Sequence, residues 1–238
     1  MESDIQRSTL DSRDLRFGRL VEATSQTTTR PWRLVVLISG AGRTLQYLIE
    51  TIERGDINAE IVGVISSRAE VMGVTIARNA GIPCRVVLPR NCESREEYSA
   101  AKFVAIAKFN PDLVLLGGYL RQLDMPEAWE QRVLNIHPSL LPETLEYASG
   151  KGMYGIHVHR AVLAHGDNVS GATVHVVEAA YDSGPPILRS EIPVLPGDTA
   201  EVLAERVFAS ERVLYPEAVR QYMAANPHLL RDHELSRR

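Results

Sequence analysis

An amide and an imidazole lie two residues apart in the segment Asn135–Pro142, at the end of an apolar run. In an extended strand the side chains of residues i and i+2 project from the same face, so Asn135 and His137 are expected to converge on one substrate atom. Pro138 cannot continue a central sheet ladder, which predicts that the strand ends here with both side chains at its carboxyl end. Such a pair can stabilise a developing negative charge and transfer a proton. The alternative is a strand end with a hydrogen-bonded structural histidine.

A carboxylate occurs in the turn Tyr181–Pro186, where glycine and proline restrict the backbone. Asp182 could face His137, and a nearby carboxylate would raise the pKa of the imidazole and orient its ring. An aspartate in a turn often caps its own backbone instead. The sequence leaves both interpretations open.

The segment Ser39–Leu45 is a glycine-rich turn that opens a helix. Its backbone N–H groups and the helix N-terminus favour a phosphate, and Arg43 and Thr44 would add donors. An NAD fingerprint would need a glycine at position 45 and an acidic residue after the second strand, but the chain has Leu45 and Ser-Ser-Arg at 66–68. NAD is therefore disfavoured. An NADP reductase stays a minor alternative, as does a tight turn without a ligand.

The elements that must position these residues alternate between apolar strands and amphipathic helices. Apolar runs predict strands at 34–38, 61–65, 85–88, 113–116 and 133–135, with helices at 45–52, 71–80 and 98–109 between them. A helix at 158–164, strands at 172–177 and 187–194 and a closing helix at 200–218 follow. This βαβ order predicts an α/β fold with a mostly parallel central sheet and helices on both faces. Ligands of such sheets bind at the carboxyl ends of the strands.

Composition favours a protein that binds small molecules. The chain has 238 residues, 45% of them hydrophobic, and a net charge of −4 without a long basic run, so a nucleic-acid partner is not expected. Cys84 and Cys92 lack CxxC spacing, which argues against a zinc site or a disulfide framework and for a reducing cytoplasm. No long apolar run or basic, apolar leader predicts a membrane location.

Three regions are expected along the chain. Residues 1–30 form a polar N-terminal extension, residues 31–224 form the folded domain, and residues 225–238 form a C-terminal tail. The final dozen residues are expected to be frayed. The oligomeric state is left open, with a homodimer as one candidate.

Several further motifs lie at Gly40–Gly42, Ser94–Tyr98, Asn135–Pro142, Gly171–Val177, Asp182–Leu188 and Glu211–Pro216. They occur in the order seen in glycinamide ribonucleotide formyltransferases. The chain thus resembles this family of the folate-dependent formyltransferase superfamily over roughly 33–222. The resemblance implies a Rossmann-like formyltransferase fold. It also implies transfer of a formyl group from 10-formyltetrahydrofolate, as co-substrate, to the amine of phosphoribosylglycinamide in purine synthesis, without a metal.

The resemblance assigns roles to matching residues of this chain. The catalytic amide, imidazole and carboxylate would be Asn135, His137 and Asp182. The acceptor would be held by Gly42, Arg43 and Thr44 at its phosphate and by Glu211. The folate would be held by Arg95, Leu120, Arg121, Gln122, Leu123 and Asn135, largely through backbone groups at 119–123. The alternatives are a buried apolar edge at Leu120 and Leu123 and a solvated helix start at Arg95.

The residue types suit direct formyl transfer through an oxyanion. Asn135 would donate one hydrogen bond to the formyl oxygen, and His137, held as an imidazolium by Asp182, would donate another. The histidine, the carboxylate and a water would pass the proton from the attacking amine to the leaving nitrogen. No nucleophile is placed for a covalent intermediate.

Two departures from the family pattern qualify this interpretation. The family usually has Ser-Asn where this chain has Arg43-Thr44, so the phosphate loop keeps its glycines and exchanges its side chains. The loop between Pro142 and His157 is longer than the common version and contains Gly-Lys-Gly-Met-Tyr-Gly, so that Lys151 would approach the substrate or lie in a mobile surface lid. Alternatives are another folate-dependent formyltransferase, a formyltetrahydrofolate hydrolase, or an NADP-binding or non-catalytic Rossmann-like protein.

Overall fold

A seven-stranded sheet forms the centre of the structure, a computed structural model that describes residues 30–231. The strands are β1 Trp32–Ile38, β2 Ala59–Ser66, β3 Cys84–Val86, β4 Leu113–Leu116, β5 Val133–His137, β6 Val169–Val176 and β7 Pro186–Pro193. Their order is β3-β2-β1-β4-β5-β6-β7. Pairing is parallel from β3 to β5, and β6 is antiparallel to both of its neighbours.

Helices cover both faces of this sheet. They are α1 Arg43–Glu53, α2 Met72–Asn79, α3 Arg95–Ala107, α4 Leu145–Ala148, α5 Ile156–His165 and α6 Ala200–Ala225. Short 3-10 helices lie at Pro89–Asn91, Glu127–Trp129 and Pro227–Leu229. Within residues 30–231, no helix combines the length and the apolar character needed to cross a membrane.

The central strand β1 shows why an uninterrupted apolar run forms this sheet. Leu34, Val36 and Ile38 pack into the hydrophobic cluster that includes residues of α1, α2 and α6. Val35 and Leu37 point the other way, into the cluster built with α3. Since successive side chains of a strand alternate between faces, a strand buried on both faces needs apolar residues at every position.

The sheet order reverses between β1 and β4, which places a crevice at the carboxyl ends of these strands. Helix α6 closes one side of the crevice. The hydroxyl of the fully buried Tyr215 lies 3.0 Å from the backbone oxygen of Leu134 and 3.3 Å from that of Leu116, so α6 is fixed to β5 and β4. Glu211 lies one helical turn before Tyr215 and therefore on the same side of α6.

The predicted strands and long helices are confirmed, with ends that shift by up to three residues, except that α6 continues to Ala225, seven residues beyond its predicted end. The short helix α4 was not predicted.

The expectation that the final dozen residues are frayed is wrong for residues 227–231, since Leu229 is buried and the N–H of Arg231 donates to Oδ1 of Asp112 at 2.8 Å. The proposed extension at 1–30 lies outside the described residues except for Arg30, which forms an ion pair with Asp112. Residues 232–238 also lie outside them.

Candidate active site

A cavity of about 630 Å³ lies at the carboxyl edge of the parallel strands. Loops that follow β1, β4, β5 and β6 line it, together with one face of α6 and the turn before α5. Its walls include Gly42, Arg43, Thr44, Leu120, Arg121, Gln122, Leu123, Asn135, His137, Asp182 and Glu211. Arg95 is the one predicted site residue that does not line it.

Strand β5 ends at His137, as predicted, and presents both reactive side chains to the cavity. Asn135 pairs across the ladder with His175 of β6, and the Nδ2 atom of Asn135 lies 3.2 Å from Nε2 of His175. The Nδ1 atom of His175 lies 2.9 Å from the backbone oxygen of Val176. Because that oxygen only accepts, Nδ1 carries a proton, and in the neutral ring Nε2 is therefore bare and accepts from Asn135. This contact orients the amide and leaves its second N–H for a ligand.

The buried ring of His137 is oriented by a backbone carbonyl. Its Nε2 atom lies 2.8 Å from the oxygen of Ala148, so Nε2 is protonated and donates. Its Nδ1 atom lies 3.6 Å from Oδ2 of Asp182. Burial lowers the pKa of His137, and this effect outweighs the charge of Asp182, which raises it. The expectation that Asp182 holds His137 as an imidazolium is therefore wrong, and a neutral ring with a bare Nδ1 is favoured near pH 7.

Asp182 lies between two imidazoles in the loop that joins β6 and β7. Its Oδ1 atom is 3.7 Å from Nε2 of His175, and its Oδ2 atom accepts from the N–H of Gly150 at 3.3 Å. Burial raises the pKa of Asp182, but the positive charge that His175 and His137 carry when protonated, together with the N–H of Gly150, lowers it below its usual range. The carboxylate is thus ionised at neutral pH and lies close enough to Nδ1 of His137 to stabilise positive charge on that ring.

The glycine-rich turn has the predicted form, and α1 begins directly after it. Gly42 has φ +73°, and no side chain caps the helix N-terminus. A Cβ atom at Gly42 would lie 2.5 Å from the Cα atom of Gly73, so this glycine also allows the close approach of α2. Arg43 is held by other groups: its Nη1 atom is 2.6 Å from Oε1 of Glu205, and its guanidinium lies 3.5 Å from the ring centroid of Phe208.

Glu211 is a buried carboxyl at this end of the cavity. Burial raises its pKa to about 7, and the charge of Arg43 lowers it only in part. Burial, aided by the charge of Glu211, raises the pKa of Tyr47, and neighbouring Thr44 offsets part of this rise without a well-formed hydrogen bond to the Tyr47 hydroxyl. A polar ligand would offer hydrogen bonds both to the buried carboxyl of Glu211 and to the buried phenol of Tyr47.

The opposite wall consists of the segment after β4. The N–H of Leu120 donates to Oγ of Ser39 at 3.1 Å, and the backbone oxygen of Gln122 accepts from the buried Lys102 at 3.1 Å. Burial lowers the pKa of Lys102 to about 8. Arg95 contacts Oε1 of Gln122 at 3.1 Å and thus braces this wall from outside the cavity.

Sequence reasoning missed two histidines of this site. His175 alternates with apolar residues on β6, and its position opposite Asn135 depends on the strand register. His159 of α5 is buried and lines the cavity, and burial, aided by the charge of His137, lowers its pKa to about 4. No group of three or more His, Cys, Asp and Glu side chains within residues 30–231 is arranged to hold a metal ion.

Comparisons with known proteins agree with this geometry. Residues 32–219 match the family described as Formyl transferase. Phosphoribosylglycinamide formyltransferase of Escherichia coli is 36% identical over 185 residues, covering 77% of this chain and 83% of that protein. The chloroplastic enzyme of the same name from Vigna unguiculata is 38% identical over 201 residues and 83% of this chain. The chain spans 63% of the length of that relative.

The solved structures show the same architecture. Glycinamide ribonucleotide transformylase 1 from Symbiobacterium toebii superposes with a TM-score of 0.76 and 38% identity, covering 87% of this chain and 94% of that one. The mostly parallel sheet, the cavity at its carboxyl edge and the family match lead to one conclusion: this chain belongs to the formyl transferase family, with its Rossmann-like fold.

Proposed function

We propose that this chain transfers the formyl group of 10-formyltetrahydrofolate to the amine of phosphoribosylglycinamide. The observation that carries the proposal is the arrangement of Asn135, His137 and Asp182 on one cavity wall. Relatives at 36–38% identity that bear the corresponding enzyme name support the choice of acceptor. The expected partners are small molecules, and the expected location is the cytoplasm.

The cavity residues fit a formyl-folate co-substrate, which would supply the one-carbon unit. The wall at 116–123 offers backbone groups and the partly buried Leu120, and this combination suits a flat, polar-edged ring. We place the folate against this wall and the acceptor against the turn that contains Gly42 and against Glu211. Both substrates would then meet at Asn135 and His137.

The state of His137 defines its role in the proposed mechanism. Its Nε2–H is engaged with Ala148, so the bare Nδ1 is the atom that takes a proton from the attacking amine, directly or through one water. The charge of Asp182 stabilises the imidazolium that forms. Asn135 donates its free amide N–H to the formyl oxygen as negative charge develops there.

Proton and bond changes balance without a further reactant. A bond forms between the acceptor nitrogen and the formyl carbon, and the bond from that carbon to the folate nitrogen breaks. The proton taken up at Nδ1 of His137 is then delivered to the leaving nitrogen. Formyl transfer is complete when His137 is neutral again.

The test is an assay of the purified chain with 10-formyltetrahydrofolate, with and without phosphoribosylglycinamide, in which loss of formyl-folate is followed. Loss that requires the acceptor supports the proposal. Equal loss without the acceptor would indicate a hydrolase, and no loss together with thermal stabilisation by NADP would indicate a dinucleotide-binding protein.

A further inference from the structure

We propose that Tyr147, through its contacts with Asp167 and His165, is a positioning residue that holds α4 in place and thereby fixes the tautomer and orientation of His137. The kinetic consequences rest on the proposed function. The effect on the ring of His137 does not, and it can be measured without any substrate.

The backbone around α4 contacts both His137 and Asp182. The oxygen of Ala148 accepts from Nε2 of His137 at 2.8 Å, and the N–H of Gly150 donates to Oδ2 of Asp182 at 3.3 Å. Ala148 is itself fully buried. A small rotation of this segment would turn the carbonyl away, and Nε2 would no longer be the obligatory position of the proton on a neutral ring.

Tyr147 immediately precedes Ala148 and is held by a cluster outside the cavity. Its hydroxyl donates to Oδ2 of Asp167 at 2.5 Å, and its ring stacks on His165 with 4.0 Å between centroids and an interplanar angle of 8°. The Nδ1 atom of His165 lies 2.8 Å from Oδ1 of Asp167, so this carboxylate binds both rings. Burial and the adjoining Asp167 raise the pKa of Tyr147 to about 12, which keeps the phenol protonated and able to donate.

The other end of α4 is also fixed. The Thr144 hydroxyl lies 2.6 Å from Oγ of Ser139 and 3.1 Å from the backbone oxygen of Leu140. These contacts connect the start of α4 to the segment that follows His137. The helix is therefore held at one end by Thr144 and at the other by Tyr147, and only the Tyr147 contact can be removed without touching the segment next to His137.

The experiment compares Tyr147→Phe with Tyr222→Phe. Each variant loses one phenolic hydroxyl, and that of Tyr222 donates to the backbone oxygen of Gln131 at 2.7 Å, away from the cavity. In Tyr147→Phe we expect NMR of nitrogen-15-labelled His137 to show a second neutral tautomer and faster exchange of the Nε2 proton. We also expect kcat to fall about tenfold, with KM for both substrates within twofold of the wild-type values. Tyr222→Phe should change none of these.

A double-variant test separates positioning from general loosening of the fold. If Tyr147 acts through Asp167, then Tyr147→Phe combined with Asp167→Ala should lower kcat no more than twofold below the slower single variant. Additive losses would overturn the proposal, and so would an unchanged His137 spectrum in Tyr147→Phe, whatever happens to kcat. If the wild type transfers no formyl group, the proposed function fails, and the His137 spectra still decide whether Tyr147 positions the ring.

Discussion

The two ends of the cavity differ in how their polar groups are satisfied. At the transfer end, comprising Asn135, His137, His175 and Asp182, protein groups fix the orientation of each side chain. At the acceptor end, comprising Gly42, Arg43, Thr44 and Glu211, the carboxyl of Glu211 is buried with a raised pKa, and the hydroxyl of nearby Tyr47 lacks a well-formed hydrogen bond among the described residues.

This difference indicates that the two ends contribute to the proposed reaction in different ways. Groups that the protein already orients act without reorganisation when charge develops, so the transfer end suits stabilisation of a transition state. A polar ligand would offer hydrogen bonds to the buried Glu211 carboxyl and Tyr47 hydroxyl, so the acceptor end suits binding. Substitutions at the first end should therefore lower kcat, whereas those at the second should raise KM and alter stability.

The largest effect is expected for His137→Ala at the transfer end. This change removes Nδ1, the proton acceptor, and proton transfer by a positioned side chain typically contributes 10²–10⁴-fold. We expect kcat to fall by at least about a hundredfold, with KM for both substrates within about threefold, as measured by loss of formyl-folate. Circular dichroism should show an unchanged fold, and near-normal turnover would remove His137 from the mechanism.

A loss at the lower end of that range, about a hundredfold in kcat, is expected for Asp182→Asn. Because the charge of Asp182 raises the pKa of His137 against the effect of burial, its removal should lower that pKa further. An NMR titration of the His137 ring would then show a midpoint below that of the wild type. The exposed Asp56→Asn is the matched control. Equal midpoints in wild type and Asp182→Asn would show that the two groups are not coupled.

At the acceptor end, Glu211→Gln should raise KM for phosphoribosylglycinamide about tenfold and leave kcat nearly unchanged. It should also alter the pH dependence of stability. The folded pKa of about 7 lies above the usual 4.5, so the protonated carboxyl favours the fold below about pH 4.5, and this contribution is lost as pH rises to about 7. Above about pH 7 the ionised carboxylate lowers the free energy of unfolding of the wild type by up to about 3 kcal/mol relative to its value at acidic pH.

Thermal unfolding at two pH values tests the sign of this effect. Glu211→Gln should melt several degrees above the wild type at pH 8, and the difference should shrink toward pH 5. The exposed Glu53→Gln on α1 should show no such pattern. A variant less stable than the wild type at pH 8 would contradict the raised pKa of Glu211.

The same contrast shows what the sequence could and could not predict. The spacing of Asn135 and His137, followed by Pro138, was enough to place both side chains at the end of β5, because strand periodicity and the properties of proline are local. The tautomer of His137 depends on the carbonyl of Ala148, a group that every residue has, so no sequence signal marks it. Its lowered pKa depends on the depth of burial, which is set by the whole fold.

Arg43 shows a further limit of prediction from the sequence. Its residue type predicts a phosphate donor, but the groups that it contacts come from a distant part of the chain. Glu205 of α6 accepts from it at 2.6 Å, and Phe208 lies beneath its guanidinium. Both Arg43 and Glu205 are largely exposed, so their ion pair is weak and can yield to a phosphate. The effects on KM expected here are therefore no larger than that of Glu211→Gln, and they should have opposite signs for the two partners.

We expect Arg43→Ala to raise KM for phosphoribosylglycinamide about tenfold, because a charge-assisted hydrogen bond contributes about 1.5–3 kcal/mol and part of that is offset by the lost contact with Glu205. Glu205→Gln should instead lower this KM about threefold, because it frees the guanidinium for the phosphate. The KM for formyl-folate should stay constant in both variants, as initial-rate kinetics at saturating co-substrate would show. If Glu205→Gln raises the acceptor KM, then Glu205 orients Arg43 rather than competing with the ligand. If neither variant changes it, the backbone N–H groups after Gly42 hold the phosphate without help from this side chain.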